Sequence, residues 1–401
     1  MNSAFQSAST FSLIVLLVAL IGLAGCENPG SLGKDIGNEK ADLVIDTLGV
    51  SNLESRNFNF YSGGYPFFSA GEFDDPLLGN IKATGLIKPS LPSKVRDDSL
   101  TSNSKMLMRV ILDGGKAYGD SLAEQHFDIY KVDEAWRSQS TRLGDDIKLD
   151  TNNGPIASFS IGGVDSIDVP LPDDWVEMYR SYADTANADS LYKRNVFGLA
   201  LVPTNGKKII APNVSRTKFV VQNPVEEDTF SVRTHERAYM LERNEKALPS
   251  GVTKWYSTKE QILTFDLDLS SVDVQAPDVS RAELVFYQDS DLMEQSLQAG
   301  LSRPQSERAQ LHLVDSDQLP VNIAPGNPVT NGFYSTEDDA FHFQVTPQVQ
   351  RILAEGLEDN KKFVITLNND GIIRTSIIHT NEASVEKRPK LIITSLKNSS
   401  N

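Results

Sequence analysis

The only cysteine of this 401-residue chain stands where its neighbours define its chemistry. Residues 11–25 form an uncharged apolar run that ends in Leu23-Ala24-Gly25, directly before Cys26. The run is shorter than the about 20 residues of a membrane-spanning helix, and it has the length of the apolar part of a secretory signal. Cleavage before Cys26 would leave a thiol and a free amine on one new N-terminal residue, and both groups can carry acyl chains.

This arrangement resembles the lipobox of bacterial lipoproteins. The resemblance implies that residues 1–25 are a signal peptide and that acyl chains on Cys26 hold the protein at a membrane. Each buried CH₂ group contributes about 0.8 kcal/mol, so two chains suffice for stable anchoring. Glu27 follows the cysteine, and the absence of an Asp there favours the outer membrane. We therefore expect a lipid-anchored, surface-exposed outer-membrane protein whose membrane partner is reached through Cys26.

Two further segments carry residue types that suit sugar recognition. Glycan binding needs solvent-facing aromatic rings that stack on the CH faces of sugars, with amides and carboxylates nearby for the hydroxyl groups. Tyr61 and Tyr65 lie in a segment interrupted by glycine and proline, and Trp255 and Tyr256 follow a lysine. We take these four residues as the candidate glycan-binding side chains. The alternative for each ring is that it folds inward as a loop anchor, with Trp255 as the expected exception.

The acidic composition limits the partners and cofactors. The 54 Asp and Glu residues against 38 Lys and Arg give a net charge of −16, which repels phosphate backbones and argues against a nucleic-acid partner. Acidic pairs such as Asp74-Asp75 and Asp338-Asp339 lack the spacing of a calcium-binding loop and predict a solvated surface. No cofactor is expected, with a structural calcium ion as the open alternative. The sequence carries no zinc-hydrolase, serine-hydrolase or nucleotide-binding motif, so a binding protein is predicted rather than an enzyme.

Most of the chain has the pattern of short β-strands separated by Asp, Asn, Gly and Pro. Several segments alternate between apolar and polar residues, which indicates strands with one packed face and one solvated face. The clearest predicted strands cover residues 43–48, 106–112, 127–130, 197–202, 262–267 and 341–345. The chain lacks the regular alternation of strands and helices that is typical of parallel α/β enzymes. An all-β fold of antiparallel sandwiches is therefore predicted.

Two short helices interrupt the strands in a similar way, which indicates an internal duplication. The first is predicted at residues 173–182, with an aromatic face, and the second at residues 346–354, with Thr346 as its N-cap and Pro347 as its first helical residue. The predicted fold class is all-β, with two related antiparallel β-sandwich (jelly-roll-like) domains, each with a short helix. The predicted divisions are a signal peptide (1–25), a flexible tether (26–42), a first sandwich (43–222), a second sandwich (223–396) and a tail (397–401).

The order of elements in the second half resembles the DNRLRE type of β-sandwich domain. The matching segments are Phe265-Asp266-Leu267, Ala282-Glu283-Leu284-Val285-Phe286-Tyr287, Val345-Thr346-Pro347-Gln348-Val349-Gln350 and Arg388-Pro389-Lys390-Leu391-Ile392-Ile393-Thr394. The resemblance implies a jelly-roll related to carbohydrate-binding modules. In the first half, the G-x-x-x-D-P-x-x-G segment from Gly71 to Gly79 is similar to surface lipoproteins of unknown function in glycan-importing bacteria. No catalytic residue comes with either resemblance.

The predicted lipid anchor, the predicted β-sandwich fold and the candidate aromatic residues together predict that the protein captures a polysaccharide or cell-surface glycan at the cell surface. A first alternative is a structural or assembly role in which sheet edges and loops contact other envelope proteins. A second alternative is a polysaccharide hydrolase or lyase, because paired carboxylates of a glycosidase would be hidden among so many acidic residues.

Overall fold

The structure is a computed structural model. It describes residues 41–92, 100–113, 117–183, 188–223, 228–315, 328–357 and 360–398. The predicted signal peptide, Cys26 and most of the predicted tether lie outside the described residues. The first described strand begins at Ala41, so it includes the last two residues of the predicted tether. The last strand ends at Asn398, so it includes the first two residues of the predicted tail.

The described chain consists mostly of β-strands in large antiparallel sheets, which include a curled half-barrel. The strands that precede residue 200 are β1 (Ala41–Gly49), β2 (Ser51–Asn57), β3 (Ala70–Asp75), β4 (Gly79–Pro89), β5 (Lys105–Ile111), β6 (Tyr118–Asp120), β7 (Gln125–Lys131), β8 (Ala157–Ile161), β9 (Ser166–Pro170) and β10 (Leu199–Pro203). The strands that follow are β11 (Lys207–Ile210), β12 (Lys218–Asn223), β13 (Asp228–Glu245), β14 (Val252–Tyr256), β15 (Gln261–Asp266), β16 (Val279–Tyr287), β17 (Leu301–Ser302), β18 (Arg308–Asp315), β19 (Thr330–Ser335), β20 (Ala340–Gln344), β21 (Lys361–Leu367), β22 (Thr375–His379) and β23 (Lys390–Asn398). The helices are α1 (Asp173–Ala183), α2 (Ala188–Asn195), α3 (Ser290–Gln295) and α4 (Thr346–Glu355). Each segment predicted as a strand from its alternation overlaps an observed strand.

The described strands form two large sheets and one small one. One large sheet has the order β1-β23-β16-β20-β19-β18-β21-β15-β2, and the other runs β17-β6-β11-β3-β4-β13-β12-β5-β9, with β10, β7 and β8 paired beside it. β14 and β22 form the small sheet. Thus β1 and β2 join the sheet built from the second half of the chain, and β13 joins the sheet of the first half. Strands on either side of the predicted boundary between residues 222 and 223 therefore pair with each other.

Each large sheet packs against its own cluster of buried apolar side chains. The first cluster contains Phe68, Phe127, Trp175, Phe219 and Tyr239, and the second contains Trp255, Phe265, Phe286, Phe343 and Phe363. Full burial of one such side chain stabilises the fold by about 1.5–3 kcal/mol.

The two predicted helices are present, but one of them begins differently from the prediction. In α1, the rings of Trp175 and Tyr179 stack with their centroids 5.5 Å apart, and both are buried. The aromatic face of α1 is therefore core. In α4, the N-cap is Val345 rather than Thr346. The hydroxyl of Thr346 instead accepts a hydrogen bond from the backbone N–H of Ala282 at 2.8 Å and so ties the helix to β16.

A buried ion pair joins the sheet of the first half to a loop of the second half. Asp75, in the G-x-x-x-D-P-x-x-G segment, accepts hydrogen bonds from Arg303 Nε at 2.8 Å and Nη2 at 2.6 Å, and both side chains are fully buried. The carboxylate also accepts from the hydroxyl of Tyr118 and from the backbone N–H groups of Leu77 and Leu78. The conspicuous Asp of that segment is thus a structural residue that fixes a turn and a distant loop together.

Candidate functional site

Trp255 and Tyr256 do not face solvent, and the prediction that they form an exposed aromatic loop is wrong. Both residues lie in β14, which pairs with β22, and their exposed fractions are 0% and 1%. The ring of Trp255 meets Phe341 edge to face at 5.2 Å. The guanidinium of Arg243 lies 4.0 Å from the ring centre of Tyr256. The two rings are therefore core side chains, as in the alternative reading of this segment.

Tyr61 and Tyr65 are each partly buried in the loop between β2 and β3. Tyr61 packs edge to face on Phe60, and the guanidinium of Arg142 lies 5.3 Å from its ring centre. Burial raises the pKa of the Tyr65 hydroxyl to about 12. The loop that carries both rings borders a large cleft at Gly64.

This cleft, which we call the cationic cleft, has a volume of about 1180 Å³. It lies where the end of β4, the loop after β7, helix α2 and the middle of β13 meet. Its lining residues are Gly64, Lys88, Ala135, Trp136, Arg137, Ser138, Gln139, Ser140, Ser190, Lys193, Arg194, His235, Glu236 and Arg237. A cleft of this size exceeds the about 300–1,000 Å³ of small-molecule pockets and has room for several sugar units.

The pairing of β4 with β13 builds one wall of the cationic cleft. Lys88 stands opposite Glu236, and the register shifts between Thr234 and Glu236, so that His235 is an extra, unpaired residue. A bulge of this kind bends its strand and redirects the side chains beside it, and such bulges are frequent next to functional sites. The hydroxyl of Tyr192 donates to the carbonyl of Pro89 at 2.7 Å, which holds α2 against the end of β4.

Hydrogen bonds fix the loop that forms the opposite wall. Glu236 accepts from the backbone N–H of Ser138 at 2.8 Å and from its hydroxyl, and that hydroxyl in turn accepts from the N–H of Arg237. The side chain of Arg237 donates to the carbonyls of Gly64 and Tyr65. The single carboxylate of the lining therefore holds the loop in place, and the wall is preformed.

The charge of the cationic cleft is opposite to that of the whole chain. Its described lining contains five Lys and Arg side chains, and His235, against one carboxylate, in a protein of net charge −16. The side chains of Lys88, Arg137, Lys193 and Arg194 make no hydrogen bond or ion pair with any described residue. Clefts lined by charges of one sign concentrate the field and attract ligands of the opposite sign.

Lys88 is the buried member of this group, with an exposed fraction of 5%. Its Nζ lies 4.8 Å from the ring centre of Tyr192, as in a cation–π contact. Burial lowers the pKa of Lys88 to about 8, while the Glu236 carboxylate raises it and the Lys193 ammonium lowers it further. Burying a cation without a partner is costly, so its placement here is suited to a ligand that supplies the missing negative charge.

Trp136 is the aromatic residue of the cationic cleft. Its indole N–H donates to the carbonyl of Phe197 at 2.7 Å, and the ring packs on a small apolar cluster that contains Val132 and Ala200. The side chain is only partly buried, and it lines both the cationic cleft and a neighbouring cavity of about 370 Å³ that contains Asp145 and Asp146. A fixed, partly exposed indole that lines two polar cavities is suited to stacking on a sugar ring.

Sequence reasoning missed this site, although one local signal marks it. Trp136 stands among polar and charged residues, between Glu134 and the Arg137-Ser138-Gln139-Ser140 run. A tryptophan in such a segment has few apolar neighbours along the chain to bury it. The sequence gives no sign that Lys88 and α2 join it.

Two other features bear on the predictions. In the part of the chain that the structure describes, no group of three or more His, Cys, Asp or Glu residues is placed to hold a metal ion, so the calcium alternative gains no support. Within the same ranges, no helix has the length and apolarity needed to cross a bilayer.

Comparison with known proteins gives no family. No protein-family model matches this chain, and no curated protein matches it.

Proposed function

We propose that this protein is a lipid-anchored binding protein of the outer-membrane surface and that it captures a polysaccharide in the cationic cleft. The observation that carries the proposal is Trp136, a partly buried indole fixed at the wall of a preformed cleft of about 1180 Å³. Hydroxyl and amide side chains, those of Ser140, Ser190 and Gln139, surround the cleft and suit the hydroxyl groups of a sugar. The proposed glycan-binding residue, Trp136, thus differs from Trp255, the residue expected from the sequence.

A polysaccharide panel tests the proposal. Residues 27–401 are run in native gels that contain plant, algal and bacterial polysaccharides, beside the Trp136→Ala and Trp136→Phe variants. We expect at least one polysaccharide to retard the wild type, and Trp136→Ala to weaken its affinity at least about tenfold, because the stacking surface is lost. Trp136→Phe keeps a ring and should bind more tightly than the alanine variant. No retardation by any polysaccharide, or equal binding by Trp136→Ala, would contradict the proposal.

The membrane anchor is tested separately through Cys26. If residues 1–25 are removed as a lipoprotein signal, Cys26→Ser should be found in the soluble fraction or as unprocessed precursor, because it lacks the thiol that carries the acyl chains. Fractionation of cells followed by mass measurement of the N-terminal peptide reads both outcomes. A Cys26→Ser protein that is processed before residue 26 and still fractionates with membranes like the wild type would remove the anchor from the account.

We also propose the finer architecture, two related jelly-roll-like sandwiches of the DNRLRE type. The similar order of elements supports it: β5, β7, α1 and β10 follow one another along the chain as β16, β18, α4 and β21 do. The segments that carry the resemblance lie in or beside β15, β16, α4 and β23, of which the three strands belong to one sheet.

A further inference from the structure

The lining of the cationic cleft indicates the chemical class of its ligand. The inference rests on the proposed function. We infer that the captured glycan is anionic and that one of its carboxylate or sulfate groups binds Lys88, with Arg137, Lys193 and Arg194 neutralising further charges along the chain of sugars. The ligand class is thus a uronate-containing or sulfated polysaccharide rather than a neutral one.

The first support is the state of the cations. The other buried Lys and Arg side chains of the described residues donate hydrogen bonds, as Arg303 does to Asp75 and Lys254 does to Glu245. Lys88 has an exposed fraction of 5%, and its ammonium lies over the ring of Tyr192, with Glu236 and Lys193 nearby, but it donates no hydrogen bond to a described residue. An anion in the cationic cleft would accept a charge-assisted hydrogen bond from this ammonium group.

The second support is that the carboxylate of the lining already has partners in the protein. Glu236 accepts hydrogen bonds from the N–H and hydroxyl of Ser138, and its Oε1 lies 3.6 Å from Nε2 of His235. Arg137, Lys193 and Arg194 are exposed and project from two different elements, the loop after β7 and the last turn of α2. Guanidinium groups bind carboxylate and sulfate groups in a bidentate geometry, which suits a ligand with charges at intervals.

The experiment compares polysaccharides that differ in charge alone. The full chain in a non-ionic detergent is titrated with polygalacturonate and its methyl ester, and with dextran sulfate and dextran. We expect at least one charged member to bind about tenfold or more tightly than its neutral partner, and its affinity to fall as salt is added. Equal affinity for charged and neutral members would overturn the inference and leave the proposed function standing. Binding to none of the four would overturn the inference.

A substitution locates the effect at Lys88. Lys88→Met keeps the volume of the side chain and removes a buried charge, so the fold should be at least as stable as the wild type, and affinity for the charged member should fall about tenfold. The matched control is Lys82→Met, on the same strand, whose ammonium pairs with Glu242 outside the cleft. Unchanged affinity of Lys88→Met would overturn the role of Lys88.

Two readouts separate this inference from its alternatives. Lys88 loses its charge above about pH 8, with Glu236, Lys193 and Tyr192 facing it, so affinity for the charged member should fall between about pH 7 and pH 9.5 in the wild type and less in Lys88→Met. Inorganic sulfate is the second probe. If sulfate binds the cleft while no polysaccharide, charged or neutral, binds there, the proposed function fails and an anion site alone remains.

Discussion

Replacing Arg303 with methionine is expected to lower the free energy of unfolding by about 3–5 kcal/mol. The substitution leaves the carboxylate of Asp75 fully buried beside an apolar side chain, and it removes two hydrogen bonds to that carboxylate. It also removes the donor to the carbonyl of Met293, which ties the segment after β17 to α3. Urea denaturation followed by circular dichroism measures the difference.

A matched control distinguishes burial from the loss of an ion pair as such. Arg109→Met removes the same side chain from its pair with Asp168, whose members are 38% and 42% exposed, and should cost no more than about 1 kcal/mol. The double variant Asp75→Asn with Arg303→Met removes the unpaired charge and should recover part of the loss. Arg303→Met with a loss below about 1 kcal/mol would contradict the structural role of this pair.

The same pair predicts a dependence on pH. Burial alone would raise the pKa of Asp75, but the hydrogen bonds and charge of Arg303 hold it below its usual range. A carboxyl group whose pKa is lower in the folded state stabilises the fold at pH values above its pKa in the unfolded chain, which is about 3.9. This stabilisation is lost as the pH falls through the pKa of the folded state. Arg303→Met should therefore lose less stability than the wild type between about pH 5 and pH 2.

The second large effect is expected at Trp255. Trp255→Ala should destabilise the protein by about 3–5 kcal/mol, because it empties a fully buried site beside Phe341. Folded Trp255→Ala protein should nevertheless bind polysaccharide with wild-type affinity, since the indole lies in the core. Thermal denaturation and native gels measure the two quantities.

Trp136→Ala is the matched comparison for Trp255→Ala. We expect it to have a smaller effect on stability and a larger effect on polysaccharide binding. Its ring is only partly buried, so its loss should cost less stability than that of Trp255 while binding is weakened. Loss of binding in well-folded Trp255→Ala, with normal binding by Trp136→Ala, would return the site to the position expected from the sequence.

Local structure could be predicted from the sequence because it depends on nearby residues. Alternation predicts β5, β7 and β20, and apolar spacing predicts α1, since these patterns follow from which face of an element is buried. Strand pairing depends on distant residues. The segment 43–48 has the pattern of a strand, but nothing in it indicates that β1 pairs with β23 at the other end of the chain.

The candidate site could not be predicted for the same reason. Lys88, Arg137, Lys193 and His235 come from four separate segments. The pairing of β4 with β13, the hydrogen bonds of Ser138 to Glu236 and the hydrogen bond of Tyr192 to Pro89 bring them together. The prediction for Trp255 is wrong because the lysine before it suggests an exposed segment. In the structure that lysine, Lys254, pairs with Glu245, and β22 pairs with the strand that carries both residues.

The most direct test of the central claim is amide hydrogen exchange of residues 27–401 with and without a polysaccharide that they bind. Exchange reports local opening and protection by a ligand segment by segment. Capture in the cationic cleft predicts slower exchange in residues 135–140, 189–194 and 234–237, with no change in β14. Protection confined to other segments, or none at saturating polysaccharide, would contradict the assignment of binding to this cleft.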